Sequence, residues 1–212
     1  MKILITGSNG FIGRNLVAEL KSRKEHELFL YDVDTPEELL DHYAEECDFV
    51  FHLAGINRPK DESEFLEGNR DFTALLLQKL KEHNNLCPLL VSSSVQAELD
   101  NPYGRSKKAG EELLIKYAEG NDIDLFLYRL PNVFGKWSRP NYNSAVATFC
   151  HNIARDLPIQ VNDPNTILRL VYIDDVLCEF TNALEGKVVW EDGYCIIPTV
   201  HTVTLQTIVD LL

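Results

Sequence analysis

The chain has 212 residues, 45% of them hydrophobic and 25% charged, and carries a formal net charge of −13. That length suits one globular domain spanning 1–212, and the acidity sets the chain apart from proteins that grip nucleic acid through lysine and arginine. The start, MKILITGSNG, runs from one lysine straight into a short apolar strand and a glycine turn. It lacks the apolar core of a leader, and no stretch approaches the roughly 20 apolar residues of a membrane span, so a cytoplasmic protein without a membrane partner is expected.

In chain order, short apolar runs at Lys2–Thr6, Glu27–Tyr31, Phe49–Leu53, Pro88–Ser92 and Leu125–Arg129 alternate with segments of helical period at 11–23, 36–46, 62–83 and 102–118. Strand followed by helix, four times over, predicts an α/β fold with a doubly wound parallel sheet of the Rossmann type. After Arg129 the pattern loosens into PNVFGKWSRPNYNSAVATF, which reads as a long loop over the carboxyl edge of the sheet followed by a helix. Ligands of open α/β sheets bind at that edge, so substrate-binding elements are expected mainly in 130–212. A further run occurs at Leu168–Ile173, and TLQTIVDLL begins an amphipathic helix.

The five cysteines form no CxxC pair and are odd in number, and the histidines show no ligand spacing. No metal site or disulfide framework is expected, and the cysteines read as small buried apolar residues.

Gly7-Ser8-Asn9-Gly10-Phe11-Ile12-Gly13 joins the first strand to the first helix. A tight turn, close backbone approach to a pyrophosphate and helix-on-strand packing each call for a glycine, and the helix N-terminus offers free N–H groups to phosphates. The second strand ends at Asp32, about twenty residues on, where a carboxylate accepts hydrogen bonds from the adenosine ribose and repels a 2′-phosphate. Asp32 therefore favours NAD over NADP, although Arg14 could meet a phosphate.

Ser92-Ser93-Ser94 closes the fourth strand, and Tyr103 and Lys107 lie four positions apart, on one face of the next helix. A phenol with a pKa of about 10 is a poor proton shuttle at pH 7; a nearby ammonium is expected to stabilise the phenolate and lower that value.

GSNGFIG, HLAG at 52–55, the SSS strand end and YGRSK, in that order, resemble the extended branch of the short-chain dehydrogenase/reductase superfamily. The resemblance implies Ser94 as the catalytic hydroxyl, with Ser93 next, Tyr103 as general acid/base, and Lys107 as the residue that holds the nicotinamide ribose and tunes Tyr103. It further implies cofactor contacts from Gly7, Asn9, Gly10, Phe11, Ile12, Gly13, Leu53, Ala54, Gly55, Asn69, Pro131 and Asn132. YRLPNVFG at 128–135 and LRLVYIDDV at 168–176 resemble the segments with which members acting on nucleotide sugars build their pocket. Lys136 and Arg169 could meet a diphosphate, Ser94, Asn132 and Asn143 could bond substrate, and Trp137 or Tyr142 could stack on a ring.

HLAGINRP at 52–59, SSSVQAELDNPYG at 92–104 and NVFGKWSRPNYNSAVATFC at 132–150 further resemble capsular polysaccharide synthesis enzymes of the CapF type. That likeness implies an NADPH-dependent reductase acting on a UDP-linked 4-keto-6-deoxy amino sugar, a homo-oligomer (a dimer), and a C-terminal metal-binding cupin domain beyond Leu212. NAD against NADP stays open, since Asp32 and the family expectation disagree. A redox-neutral nucleotide-sugar epimerase or dehydratase, and a non-catalytic dinucleotide sensor, are the alternative functions.

Overall fold

A computed structural model describes residues 1–212. The chain begins with β1 (Lys2–Thr6), α1 (Phe11–Arg23), β2 (Glu27–Tyr31), α2 (Glu37–Glu46) and β3 (Phe49–His52). Next come α3 (Ser63–Leu66), a π-helical turn (Glu67–Asp71), α4 (Phe72–Glu82), β4 (Leu89–Ser94), a short 3₁₀ turn (Val95–Glu98), α5 (Pro102–Asn121) and β5 (Leu125–Leu130). β6 (Asn132–Phe134), α6 (Ala145–Ile153), β7 (Ile167–Tyr172), α7 (Ile173–Leu184), β8 (Trp190–Glu191), β9 (Tyr194–Cys195), β10 (His201–Thr204) and α8 (Leu205–Leu211) complete it.

The main sheet has the order β2-β1-β3-β4-β5-β9-β8. β1 to β5 are all parallel, and the last pair is antiparallel. Period-two alternation sends Ile3, Ile5, Phe49, Phe51, Phe126 and Tyr128 to one face, where they pack with Leu16 and Leu20 of α1 and Val176 and Phe180 of α7. Leu4, Val50, Leu89, Val91 and Leu127 go to the other, against Leu40 of α2, Leu76 and Leu80 of α4 and Leu114 of α5. Burial on both faces explains why these strands read as continuous apolar runs, and each fully buried side chain contributes about 1.5–3 kcal/mol.

The predicted doubly wound sheet is the observed one. β1 feeds outward to β2 and the chain then crosses back to β3 on the other side, so the loops after β1 and β3 face each other across the switch point where such sheets bind ligands. No helix is long and apolar enough to cross a membrane.

Several elements differ from expectation. Leu168–Ile173 does not extend the main sheet: as β7 it joins β6 and β10 in a separate three-stranded sheet around a small core of Phe149, Leu170 and Ile208. α7 follows it directly, and β8 and β9 edge the main sheet; neither was anticipated. The single helix expected over 62–83 is interrupted by the π turn, and β4 runs on to Ser94 because Ser93 and Ser94 pair with Arg129 and Leu130 of β5. Cys150 and Cys178 are exposed, a correction to the reading of all five cysteines as buried; they sit on outward faces of α6 and α7, whereas Cys47, Cys87 and Cys195 are buried.

Candidate active site

The loop from Gly7 to Gly13 is drawn tight against its surroundings. Gly7 has φ +68, and a Cβ there would lie 2.7 Å from the Ala54 nitrogen, so the turn and the close approach to the loop after β3 both require glycine. Gly10 precedes α1 without a side-chain cap, and the first turn of α1 holds no acid. Its N–H groups and partial positive charge are thus left for an anion, an arrangement that fits the pyrophosphate of a dinucleotide. Asp32, at the end of β2, accepts a 2.7 Å hydrogen bond from the Asn9 N–H and a 2.9 Å bond from that of Val33. The carboxylate that would meet a ribose therefore also pins the loop. Arg14 lies over the ring of Trp137, 5.4 Å from its centroid.

From Phe11 and Ile12 a cleft of about 1020 Å³ runs along the carboxyl edge of the sheet, past Leu53 and Gly55, to the ends of β4 and β5. Ser94, Tyr103, Lys107, Pro131 and Asn132 all line it. Asn101 caps α5 by accepting from the Gly104 N–H at 2.8 Å, and Pro102 opens the helix, which sets Tyr103 in its first turn and Lys107 one turn on. Tyr103 stands beside Ser94, whose hydroxyl oxygen accepts from the Gln96 N–H at 3.2 Å. Ser94 is distinguished from Ser93, whose hydroxyl is donated to the Glu111 carboxylate behind the cleft wall.

Lys107 Nζ donates to the Ser92 carbonyl at 3.0 Å. Burial pulls its pKa from 10.5 to about 8, opposed by the charge of Glu111 one turn further along α5. Tyr103 moves opposite to expectation: burial raises its pKa above the ordinary tyrosine value, and the opposing influence is the neighbouring Ser94 hydroxyl rather than the lysine. The desolvation cost of a phenolate in this wall exceeds what its neighbours return.

Asn69 sits in the π turn, buried. Its side chain accepts from the Ile56 N–H at 3.0 Å and donates to the Ile56 carbonyl at 2.8 Å and the Ser106 hydroxyl at 3.0 Å. It thus fixes the loop of Leu53, Ala54 and Gly55 against α5. A Cβ on Gly55 would lie 2.7 Å from Asn69 Oδ1 and 3.4 Å from Lys107 Nζ, so loop, π turn and lysine are assembled around a missing side chain.

Residues 3–189 match the model of the NAD dependent epimerase/dehydratase family. The chain belongs to that family. It is 50% identical over 187 residues to the "UDP-2-acetamido-2,6-beta-L-arabino-hexul-4-ose reductase" of Pseudomonas aeruginosa, a match covering 88% of this chain and 50% of that protein. A crystal structure of the capsular polysaccharide assembling protein CapF from Staphylococcus aureus superposes with a TM-score of 0.91 at 47% identity, covering 100% of this chain and 57% of that one. A UDP-glucuronic acid 4-epimerase from Bacillus cereus, in complex with NAD, shares the fold at 22% identity with a TM-score of 0.80, covering 97% of this chain and 79% of that one. This family member spans about half the length of the first two relatives.

Within this family member the residues expected to meet substrate separate into two groups. Asn132 and Asn143 line the cleft. Lys136 and Arg169 do not: Lys136 pairs with Asp174 at 2.9 Å, and Arg169, on β7, lies outside the lining, its carbonyl accepting from Asn132 Nδ2 at 3.4 Å. Sequence reasoning missed Asn57 and Arg58, directly after HLAG, and Gln160 and Asn162 at the far end of the cleft. An arginine three residues beyond the strand-end glycine of HLAG was the available signal for Arg58. It also missed the support behind the serines, where Arg129 pairs with buried Glu111 at 2.6 Å and with Glu98 at 3.0 Å.

Proposed function

We propose that this chain is the reductase part of an enzyme that reduces the C4 ketone of a UDP-linked 4-keto-6-deoxy amino sugar, in the making of a capsular or O-antigen polysaccharide precursor. The observation that carries this reading is the joint placement of Ser94, Tyr103 and Lys107 on one cleft wall, continuous with an uncapped glycine loop. The activity named for the Pseudomonas aeruginosa relative supplies the substrate class.

Gly7, Gly10 and Gly13 with the first turn of α1 would hold the pyrophosphate, Asp32 the adenosine ribose, and Leu53 to Gly55 with Lys107 the nicotinamide half. When bound, the reduced dinucleotide supplies the hydride. The chain's own residues manage the proton. Tyr103 donates its hydroxyl proton to the former carbonyl oxygen, so that ketone, hydride and proton together give the secondary alcohol. Ser94 donates a hydrogen bond to the same oxygen, polarising the carbonyl and stabilising the charge that develops on it. Lys107, with its pKa at about 8, is predominantly a cation at neutral pH and stabilises the phenolate that Tyr103 becomes.

The Asp32 carboxylate favours NADH and the CapF likeness favours NADPH, so both belong in the test. Mixing the chain with either coenzyme and the UDP-linked ketone is expected to consume nicotinamide absorbance, and Tyr103→Phe to slow this about 10²- to 10⁴-fold. No consumption with either coenzyme would refute the reading, and a tightly retained NAD with no net redox change would favour the epimerase alternative.

A further inference from the structure

The cleft lining contains no aspartate or glutamate, although acids outnumber lysine and arginine 33 to 20 in the chain. Its cations are Lys107 and Arg58. Lys107 is committed at the catalytic end, to the Ser92 carbonyl and beside Tyr103. Of the two cations that the sequence offered for a phosphate, Lys136 pairs with Asp174 and Arg169 is not among the lining residues. Among the residues that line the cleft, a polyanionic ligand with its reacting carbon at Tyr103 therefore meets one uncommitted positive side chain, that of Arg58.

Arg58 is held in a conformation suited to the task. Its guanidinium pairs with no carboxylate and lies over the ring of Tyr142, 5.4 Å from the centroid. The Tyr142 hydroxyl is anchored by a 2.9 Å hydrogen bond to Asn57 Oδ1, which ties the loop after β3 to the loop before α6. A guanidinium that rests its face on an aromatic ring keeps its edge N–H groups free for a planar, bidentate contact with phosphate oxygens. Arg139 approaches the same ring, 5.3 Å from the centroid, and two like charges on one ring favour an anion between them. The first turn of α6 opens on the same cleft at Ser144 and Ala145 and carries no acid.

Arg58 is three residues from Gly55, the position packed against Lys107 Nζ, so the arginine stands on the same loop as the catalytic end of the cleft.

We infer that Arg58, lying over Tyr142, anchors the diphosphate of the sugar nucleotide. This rests on the nucleotide-sugar reading above. The test measures UDP, uridine and NAD(P)H binding to the wild-type chain, Arg58→Gln and Arg58→Lys by calorimetry. Arg58→Gln is expected to weaken UDP about 10- to 100-fold while uridine and NAD(P)H affinities hold, with Arg58→Lys between the two. In turnover, KM for the UDP-sugar rises and kcat is largely retained, because an anchor remote from the ketone binds ground and transition states alike. Wild-type and Arg58→Gln chains binding UDP equally would overturn the anchor alone. Equal loss of UDP and uridine would overturn it in favour of a role in shaping the cleft. A wild-type chain that binds no UDP would overturn the anchor together with the nucleotide-sugar reading.

Discussion

Substituting Gly13 by alanine tests whether the glycine loop is as tightly assembled as its atoms suggest. An added Cβ would fall 2.1 Å from the Gly7 carbonyl oxygen and 2.9 Å from both the Gly7 carbonyl carbon and Ser8 Cα. These are backbone atoms, so no rotamer change relieves the overlap. Nor can Gly7 yield easily: its oxygen accepts from the Gly10 N–H at 3.0 Å, and its own Cα faces Ala54. The loop and α1 must separate, at an overpacking cost of about 1–3 kcal/mol, plus about 1 kcal/mol if the Gly7–Gly10 hydrogen bond is lost. For a chain of this size that corresponds to a melting temperature lower by roughly 5–15 °C. The same movement takes the N–H groups of α1 away from the pyrophosphate, so NAD(P)H affinity is expected to fall at least about tenfold. Gly120→Ala is the internal control. Gly120 lies in α5 with no heavy atom within 4 Å of its added Cβ, and the change should stabilise by about 0.5–1 kcal/mol. Thermal unfolding followed by circular dichroism, with coenzyme titration by fluorescence, reads both. The reasoning is refuted if Gly13→Ala melts with the wild type and binds coenzyme normally, or if Gly120→Ala loses as much stability as Gly13→Ala.

Lys107 and Glu111 carry the other expectations about stability. In the folded chain Lys107 titrates near 8 rather than 10.5, so below pH 8 its buried ammonium opposes folding. From pH 8 to 10.5 the unfolded state binds the extra proton and this opposition fades with rising pH. The shift is equivalent to about 3 kcal/mol, roughly halved because the ammonium faces the cleft and a replacement forfeits the bond to Ser92. Lys107→Met should therefore be inactive yet more stable than wild type by about 1–2 kcal/mol at pH 7, with the advantage shrinking toward pH 10; urea titrations across that range check it, and a less stable variant at pH 7 would refute it. Glu111→Gln leaves Arg129 with only the exposed Glu98 as an ionic partner, and should cost about 2–4 kcal/mol, read as a lower urea midpoint at unchanged slope.

The site shows where sequence patterns stop carrying information. YGRSK places Tyr103 and Lys107 on one helix face from spacing alone, but the direction of the tyrosine's pKa depends on how much solvent the folded wall excludes, which spacing does not encode. Three consecutive serines are equivalent as letters. Pairing with β5 and the position of Glu111 assign them apart, Ser92 offering its carbonyl to Lys107, Ser93 its hydroxyl to Glu111, and Ser94 lining the cleft beside Tyr103. Asn69 reads from the sequence as one polar residue in a helix; the π turn that directs its amide to Ile56 is a tertiary feature.

The parallel sheet, the glycine loop and the pair on α5 were determined by the sequence itself, because they rest on local periodicity, on glycine's freedom at two crowded backbone positions, and on the four-residue repeat of a helix. Which cations line the cleft was decided by the tertiary structure. Lys136 and Arg169 lie in segments that resemble substrate-binding ones, yet Asp174 claims the first and the second stands on a strand outside the cleft. Arg58 lines the cleft over the ring of Tyr142, whose hydroxyl bonds Asn57, and Tyr142 lies more than eighty positions further along the chain, where no local rule could link the two.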